Sequence, residues 1–210
     1  MKTLEQKYEK GHSTSAIYPS FYLVAKDYNL KIKKCIDLWA SDWRYLKFMG
    51  KGSCWVEYSD VDITYCKEHQ INVVKWNLNC DFDFFRDESF DFIFSSHVIE
   101  HLESPYLFLR RIRGFWWDNA KLILWYPIEH SMVRWFDPYF SCDWHLYSFS
   151  LANIKQLLKE TWFSIEKIYY DIPFAWRFKL FKRLQKIVQK LPYSMVYWRW
   201  NAIYIVAKKI

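Results

Sequence analysis

The chain has 210 residues, of which 52% are apolar, and this suits one globular domain with a full core and excludes a disordered chain. Its unbroken apolar runs fall far short of the roughly 20 residues that a membrane span needs. The net charge is +7, but seven basic side chains and only one acidic side chain lie between Asp171 and Trp200. The positive charge therefore belongs to one segment, which argues against a nucleic-acid-binding face spread over the protein.

The five cysteines are scattered, odd in number and without a C-x-x-C pair. This usage argues against a disulfide framework or a zinc knuckle and favours a reducing compartment. The first residues are charged and lack the apolar core of a signal peptide. We therefore predict a cytoplasmic protein.

Short apolar runs rich in Ile, Val, Phe and Tyr alternate with helix-like stretches along the chain. They lack strict apolar–polar alternation, which is typical of strands covered on both faces. The predicted strands are 33–39, 53–59, 71–77, 90–96, 120–127, 163–170 and 202–209, and the predicted helices are 43–49, 61–69, 97–115 and 150–161. Strands alternating with helices predict a doubly wound α/β sheet in a single domain, 1–210.

The end of the first predicted strand carries an acid, Asp37, followed by Trp39, Ser41 and Trp43 at alternate positions. Glu57 comes twenty residues after Asp37, at the end of the second strand. In open α/β sheets ligands bind beyond the carboxyl ends of the strands, and an acid at this spacing can accept hydrogen bonds from the ribose hydroxyls of an adenosine cofactor.

Two later stretches extend this pattern. Asn77 and Leu78 follow the third strand, and the fourth strand runs into a D-E-S-F-D-F-I-F-S-S-H-V-I-E-H-L sequence at 87–102. Together these motifs resemble the small-molecule branch of the class I S-adenosylmethionine-dependent methyltransferases. The resemblance covers roughly 33–170 and the last strand.

The resemblance implies a Rossmann-like seven-stranded sheet, mostly parallel with an antiparallel last strand, in the order 3-2-1-4-5-7-6. It implies S-adenosylmethionine as cofactor and methyl transfer to a small-molecule or glycan-like, lipid-linked acceptor. The cofactor-binding positions that it implies are Asp37, Trp39, Ser41, Trp43, Glu57, Asn77, Leu78 and Ser96. It places His97 and His145 on the acceptor side as candidate catalytic residues.

The motif departs from the family where three small residues, mostly glycine, are expected. The chain has 4 Gly and 13 Trp, whereas ordinary usage gives roughly 15 Gly at this length. Trp39 and Trp43 stand at two of these three positions. The family usually has glycine at further positions too, which here are Trp55, Trp76, Trp116, Trp117 and Trp162. One hypothesis is that these tryptophans represent UGA codons that some bacteria read as glycine. If Trp39 and Trp43 are genuine, the alternative is a catalytically inactive methyltransferase-like binding or scaffold domain.

His97, Glu100 and His101 form an H-x-x-E-H pattern, which also occurs in zinc sites. The sequence shows no obvious third ligand, and the methyltransferase resemblance already accounts for these residues. We therefore predict no metal.

The segment 176–191 has apolar residues at helical spacing with Lys and Arg between them. It predicts an amphipathic basic helix within an insertion, 171–200, between the last two strands. Such a helix either packs on the sheet or contacts an anionic membrane surface peripherally. A nucleic-acid acceptor is disfavoured because no N-P-P-Y-like motif is present.

Overall fold

The computed structural model describes residues 19–38, 43–80, 89–114, 119–127, 145–170, 186–191 and 202–210. The strands are β1 (Cys35–Leu38), β2 (Cys54–Glu57), β3 (Val73–Lys75), β4 (Phe92–Ser96), β5 (Lys121–Pro127), β6 (Phe163–Tyr170) and β7 (Ala202–Lys209). The α-helices are α1 (Pro19–Asp27), α2 (Asp60–Glu68), α3 (Pro105–Gly114) and α4 (Leu151–Glu160), and short 3₁₀ helices span Leu30–Ile32, Trp43–Phe48 and Ile99–His101.

The seven strands form one sheet in the order β3-β2-β1-β4-β5-β7-β6. The first five strands run parallel, and β7 pairs antiparallel with both β5 and β6. The predicted doubly wound architecture and strand order are therefore confirmed. Because β1 to β4 run parallel, their carboxyl ends lie at the same edge of the sheet.

Separate apolar clusters cover the two faces of the sheet, as the unalternating strand sequences predict. One cluster includes Ile36, Leu122 and residues of α3 and α4, and the other includes Phe94, Ile123 and residues of α1. Neighbouring residues of one strand thus enter different clusters. Both faces are buried by helices, which leaves the strand ends as the accessible edge of the sheet.

Serine side chains cap three of the described helices, and one of them is Ser104, whose hydroxyl accepts a hydrogen bond from the Leu107 N–H at 3.3 Å at the start of α3. The Ser59 hydroxyl accepts a hydrogen bond from the Asp62 N–H at the start of α2, and the Ser150 hydroxyl accepts one from the Asn153 N–H at the start of α4. Each bond satisfies a backbone donor that the first turn leaves unpaired. Ser150 therefore caps the start of the helix that the sequence predicts at 150–161.

The predicted helix 97–115 is wrong in its first half. Only Ile99–His101 forms a 3₁₀ turn there, and α3 begins at Pro105. Proline is favoured at a helix start because it has no N–H to leave unpaired. His97 has a left-handed φ of 51°, and its N–H donates to the Trp125 carbonyl at 2.9 Å, so it directly follows β4 and does not start a helix.

The predicted basic insertion is described only at 186–191, where 186–188 are helical. Within the described ranges, no helix combines the length and the apolar character needed to cross a membrane.

Candidate functional site

Asp37 lies in β1 at the centre of the sheet and is completely buried. Neither of its carboxylate oxygens has a hydrogen-bond partner among the described residues. Burial raises the pKa of this carboxyl well above its usual range. A buried acid of this kind is costly to stability, and such groups are often retained because a ligand or loop uses them.

Glu57 ends β2 and is 3% exposed. Its Oε1 accepts hydrogen bonds from the N–H groups of Tyr58 at 2.6 Å and Ser59 at 2.9 Å. Its Oε2 is buried and has no partner in the described part of the chain. Burial raises the pKa of Glu57, while the two N–H groups partly oppose that rise. One oxygen is therefore fixed by the backbone, and the other is available to a ligand donor.

A cavity of about 410 Å³ lies beyond the ends of β2 and β3. Its walls combine acidic and polar groups with apolar surface, and its lining is Val56, Glu57, Tyr58, Ser59, Asp62, Trp76, Asn77, Leu78, Asn79, His101 and Leu102. The cavity therefore brings the predicted Glu57, Asn77 and Leu78 together. Sequence reasoning missed Ser59, Asp62, Asn79 and His101 as lining residues.

Hydrogen bonds hold the turn after β3, which lines this cavity, both within the turn and to the segment that follows β4. The Asn77 carbonyl oxygen Oδ1 accepts from the Asn79 N–H at 2.9 Å, which shapes the turn. The Asn79 side chain accepts from the Glu103 N–H at 3.2 Å, and its carbonyl accepts from Arg111 at 2.6 Å. These bonds join the β3 loop to the segment that follows β4, so the cavity has a preformed wall.

Ser96 ends β4, is 7% exposed, and precedes the left-handed residue His97. The His97 Nδ1 lies 3.0 Å from the Glu100 Oε1, and its ring packs edge-on against Trp125 at 4.1 Å between centroids. A carboxylate only accepts, so Nδ1 donates and carries the proton. The second ring nitrogen, Nε2, is then the basic one.

His145 lies beside the same carboxylate. Its Nε2 is 4.0 Å from the Glu100 Oε1, and its ring is 4.7 Å from that of His101. The N–H groups of Leu146 and Tyr147 donate to the Glu100 carbonyl at 2.8 and 3.2 Å. The structure therefore brings the two candidate catalytic histidines, His97 and His145, to the same oxygen of Glu100.

The remaining predicted cofactor positions lie at the β1 loop. Trp39 and Ser41 are outside the described residues, and Trp43 begins the 3₁₀ helix Trp43–Phe48. Of the other tryptophans at expected glycine positions, Trp55 is buried in β2 and packs with Cys66. Trp162 differs, because it is 59% exposed and has a left-handed φ of 64°.

Comparison with known proteins gives a family match over part of the chain and a shared fold. Residues 43–124 match the profile of a family described as "Methyltransferase domain". No curated protein matches the sequence.

Many solved structures share the fold at low sequence identity. An S-adenosylmethionine-dependent methyltransferase from Aquifex aeolicus is 14% identical with a TM-score of 0.63, and the match covers all of both chains. One from Archaeoglobus fulgidus is 15% identical with a TM-score of 0.62 and covers 99% of this chain and 100% of its own. One from Mesorhizobium loti is 11% identical with a TM-score of 0.62 and covers 90% and 98%.

Proposed function

We propose that the chain is a class I S-adenosylmethionine-dependent methyltransferase that transfers a methyl group to a nucleophile on a small-molecule, glycan or lipid-linked acceptor, as the methyltransferase-domain match over 43–124 and the shared fold support. The observation that carries this proposal is the buried Glu57 carboxylate, which lines a cavity of about 410 Å³ and has one oxygen without a hydrogen-bond partner among the described residues. S-adenosylmethionine is the cofactor that the methyltransferase-domain match and the similar solved structures support.

The adenosine half of the cofactor fits the cavity at β2 and β3. The Glu57 Oε2 accepts from a ribose hydroxyl, which supplies the partner that it lacks among the described residues. Asn77 and Leu78 contact the adenine, since an amide and an apolar side chain line the same cavity. The two N–H bonds to the Glu57 Oε1 keep the carboxylate in place without the ligand.

The methionine half extends toward β1 and β4. Asp37, Trp39, Ser41 and Trp43 are the residues that would hold this end, and Ser96 would border it from β4. Parallel pairing joins β1 directly to β4, which puts Asp37 opposite Phe94, two residues before Ser96. The residues that would hold the cofactor thus lie along the sheet edge from β2 to β4.

When bound, the cofactor would supply a methyl group on a positively charged sulfur, an activated donor whose carbon–sulfur electron pair would stay with sulfur when the acceptor takes the methyl group. The protein's part is to hold the acceptor in line. The Nε2 of His97 takes the proton that the acceptor loses, because Glu100 holds the proton on Nδ1. His145 lines the acceptor side across Glu100.

A second candidate is a non-catalytic methyltransferase-like binding or scaffold domain. The observation that favours it is the pair Trp39 and Trp43 at positions where the family has small residues. Glycine allows a backbone to approach a cofactor closely, and a tryptophan side chain prevents that approach.

Calorimetric titration with S-adenosylmethionine separates the two candidates. We expect saturable binding of one cofactor per chain and a loss of about 10- to 100-fold in affinity for Glu57→Gln, because one charge-assisted hydrogen bond contributes about 1.5–3 kcal/mol.

Glu68→Gln, an exposed acid at the end of α2, is the matched control and should bind as the natural sequence does. Absence of heat with the unaltered chain supports the scaffold candidate. Equal affinity in Glu57→Gln and the unaltered chain contradicts the assignment of the ribose site.

A further inference from the structure

Glu100, His101 and His145 form a cluster that the methyl-transfer proposal does not use fully. One ligand atom from each of the three side chains lies within 4.8 Å of the other two. Two ligand atoms around one divalent ion at bond lengths of about 2.0–2.2 Å are separated by roughly 3–4 Å, so small side-chain shifts close this set around a metal. The H-x-x-E-H pattern in the sequence contains only Glu100 and His101 of this cluster. The third residue, His145, comes from the segment before α4.

Glu100 provides the independent observation. It is 1% exposed, and its Oε1 accepts from His97 Nδ1. Its Oε2 is buried without a hydrogen-bond partner in the described ranges of the chain. An ionised carboxylate in such surroundings needs a cation or further donors, because an unsatisfied buried charge is strongly destabilising.

The backbone holds the cluster together. The Glu100 carbonyl accepts from the N–H groups of both Leu146 and Tyr147, and the Tyr147 hydroxyl donates to the Glu103 carbonyl at 2.8 Å. The loop that contains His145 is therefore fastened to the segment that contains Glu100 and His101. A site whose donors are positioned by the backbone binds an ion at a smaller entropic cost.

We propose that Glu100, His101 and His145 bind one divalent transition-metal ion, which leaves coordination positions open to an oxygen of the acceptor. Two imidazoles and one carboxylate are a donor set suited to Zn²⁺ and related ions, whereas Mg²⁺ and Ca²⁺ prefer oxygen ligands alone. His97 keeps its hydrogen bond to the same carboxylate and orients it, as groups beside metal ligands commonly do.

The position of the site connects it to the acceptor. His101 lines the 410 Å³ cavity as well as the cluster, so a bound ion would adjoin the cofactor. This part of the inference rests on the proposed methyl transfer. It narrows the acceptor to a molecule that presents a hydroxyl or similar oxygen, which the ion polarises and holds beside His97.

The test is a titration of Co²⁺ and Zn²⁺ into full-length, tag-free protein that has been treated with a chelator. Bound Co²⁺ is followed by its visible absorption, and Zn²⁺ by calorimetry. We expect one ion per chain and at least about 10-fold weaker binding in Glu100→Gln and His145→Asn, since even residues beside metal ligands change affinity by about 10- to 100-fold. His69→Asn removes an exposed histidine at the end of α2 and should leave metal binding unchanged.

Each outcome decides the proposal. Absence of stoichiometric binding overturns it, as does equal binding by the unaltered chain and both variants. His101→Asn, with circular dichroism of every variant, guards against loss of the fold in Glu100→Gln. S-adenosylmethionine titrations with and without the ion separate the two proposals. Cofactor binding without metal binding contradicts only the proposed metal site. Metal binding without cofactor binding contradicts only the proposed methyl transfer.

Discussion

At the scale of single residues, the backbone of Trp162 is unusual for its residue type. It follows the C-cap Thr161 of α4, has φ at 64°, and leaves its side chain 59% exposed. A left-handed conformation costs an L-residue with a Cβ about 1–2 kcal/mol, and glycine avoids that cost, so this position after a helix is most often glycine. The Arg113 guanidinium lies 5.5 Å from the indole ring. The turn therefore has the geometry of a glycine position.

Trp162→Gly should consequently raise the free energy of unfolding by about 1 kcal/mol, after the small loss of the cation–π contact. Trp55→Gly should lower it by about 3–5 kcal/mol, because Trp55 is fully buried in β2. Urea unfolding of both variants measures the two effects.

The pair is informative because the two substitutions are chemically identical. Destabilisation by Trp162→Gly would contradict the hypothesis that this tryptophan represents a glycine codon. Stabilisation by both would extend that hypothesis to β2, and the codons of the gene give a second, independent check.

Asp37 sets a pH dependence that can be isolated. Burial raises its pKa in the folded state, so the folded chain retains this proton to higher pH than the unfolded chain does. Between the unfolded value of about 3.9 and the folded pKa, its contribution to stability therefore falls as pH rises. Asp37→Asn should flatten the profile of unfolding free energy against pH over that window.

The measurement is urea unfolding of the unaltered chain and of Asp37→Asn at a series of pH values. Taking the difference between the two removes the opposite contributions of Asp27 and Glu166, whose pKa values are lowered by their lysine and tyrosine partners. Parallel profiles would show that Asp37 does not titrate as its burial requires.

At the scale of elements, the strands were predictable because each is a short apolar run covered on both faces. The helix at 97–115 was not, since its apolar spacing continues through a segment that tertiary contacts keep out of helix. The His97 N–H donates to the carbonyl of Trp125, which lies in β5, and no local sequence pattern reveals this contact. Pro105 marks the true start of α3 in the sequence.

The site divides in the same way. Asp37 and Glu57 were predictable because strand ends and a spacing of twenty residues define them locally. Ser59 and Asn79 were missed because serine and asparagine are common in any turn. The approach of His145 to Glu100 joins positions 45 residues apart, and it depends on how the loop before α4 folds back over the end of β4.

At the scale of the whole molecule, positive charge is concentrated in 171–200, and the membrane contact of this segment stays a prediction. Reversing Lys182, Arg183 and Lys186 to glutamate should abolish binding to vesicles that contain anionic lipid, because each basic group near such a surface contributes about 1 kcal/mol. Vesicle co-sedimentation measures it.

A matched triple reversal at the exposed Lys26, Lys31 and Lys51 changes the net charge equally and should leave vesicle binding nearly intact. If both triple variants lose binding alike, total charge and not the segment is responsible. If the unaltered chain does not bind vesicles, the peripheral contact is wrong.

The position of β7 has a consequence for how the protein is made. This strand follows β6 in the chain but lies between β5 and β6 in the sheet, and β6 pairs only with β7 among the described strands. On the ribosome, β6 therefore emerges with no edge to join, and β5 stays open on its outer side until 202–209 have left the exit tunnel. The nascent chain has two unpaired strands during that interval. Because unpaired strand edges aggregate, this is the stage at which we expect chaperones to bind the chain most.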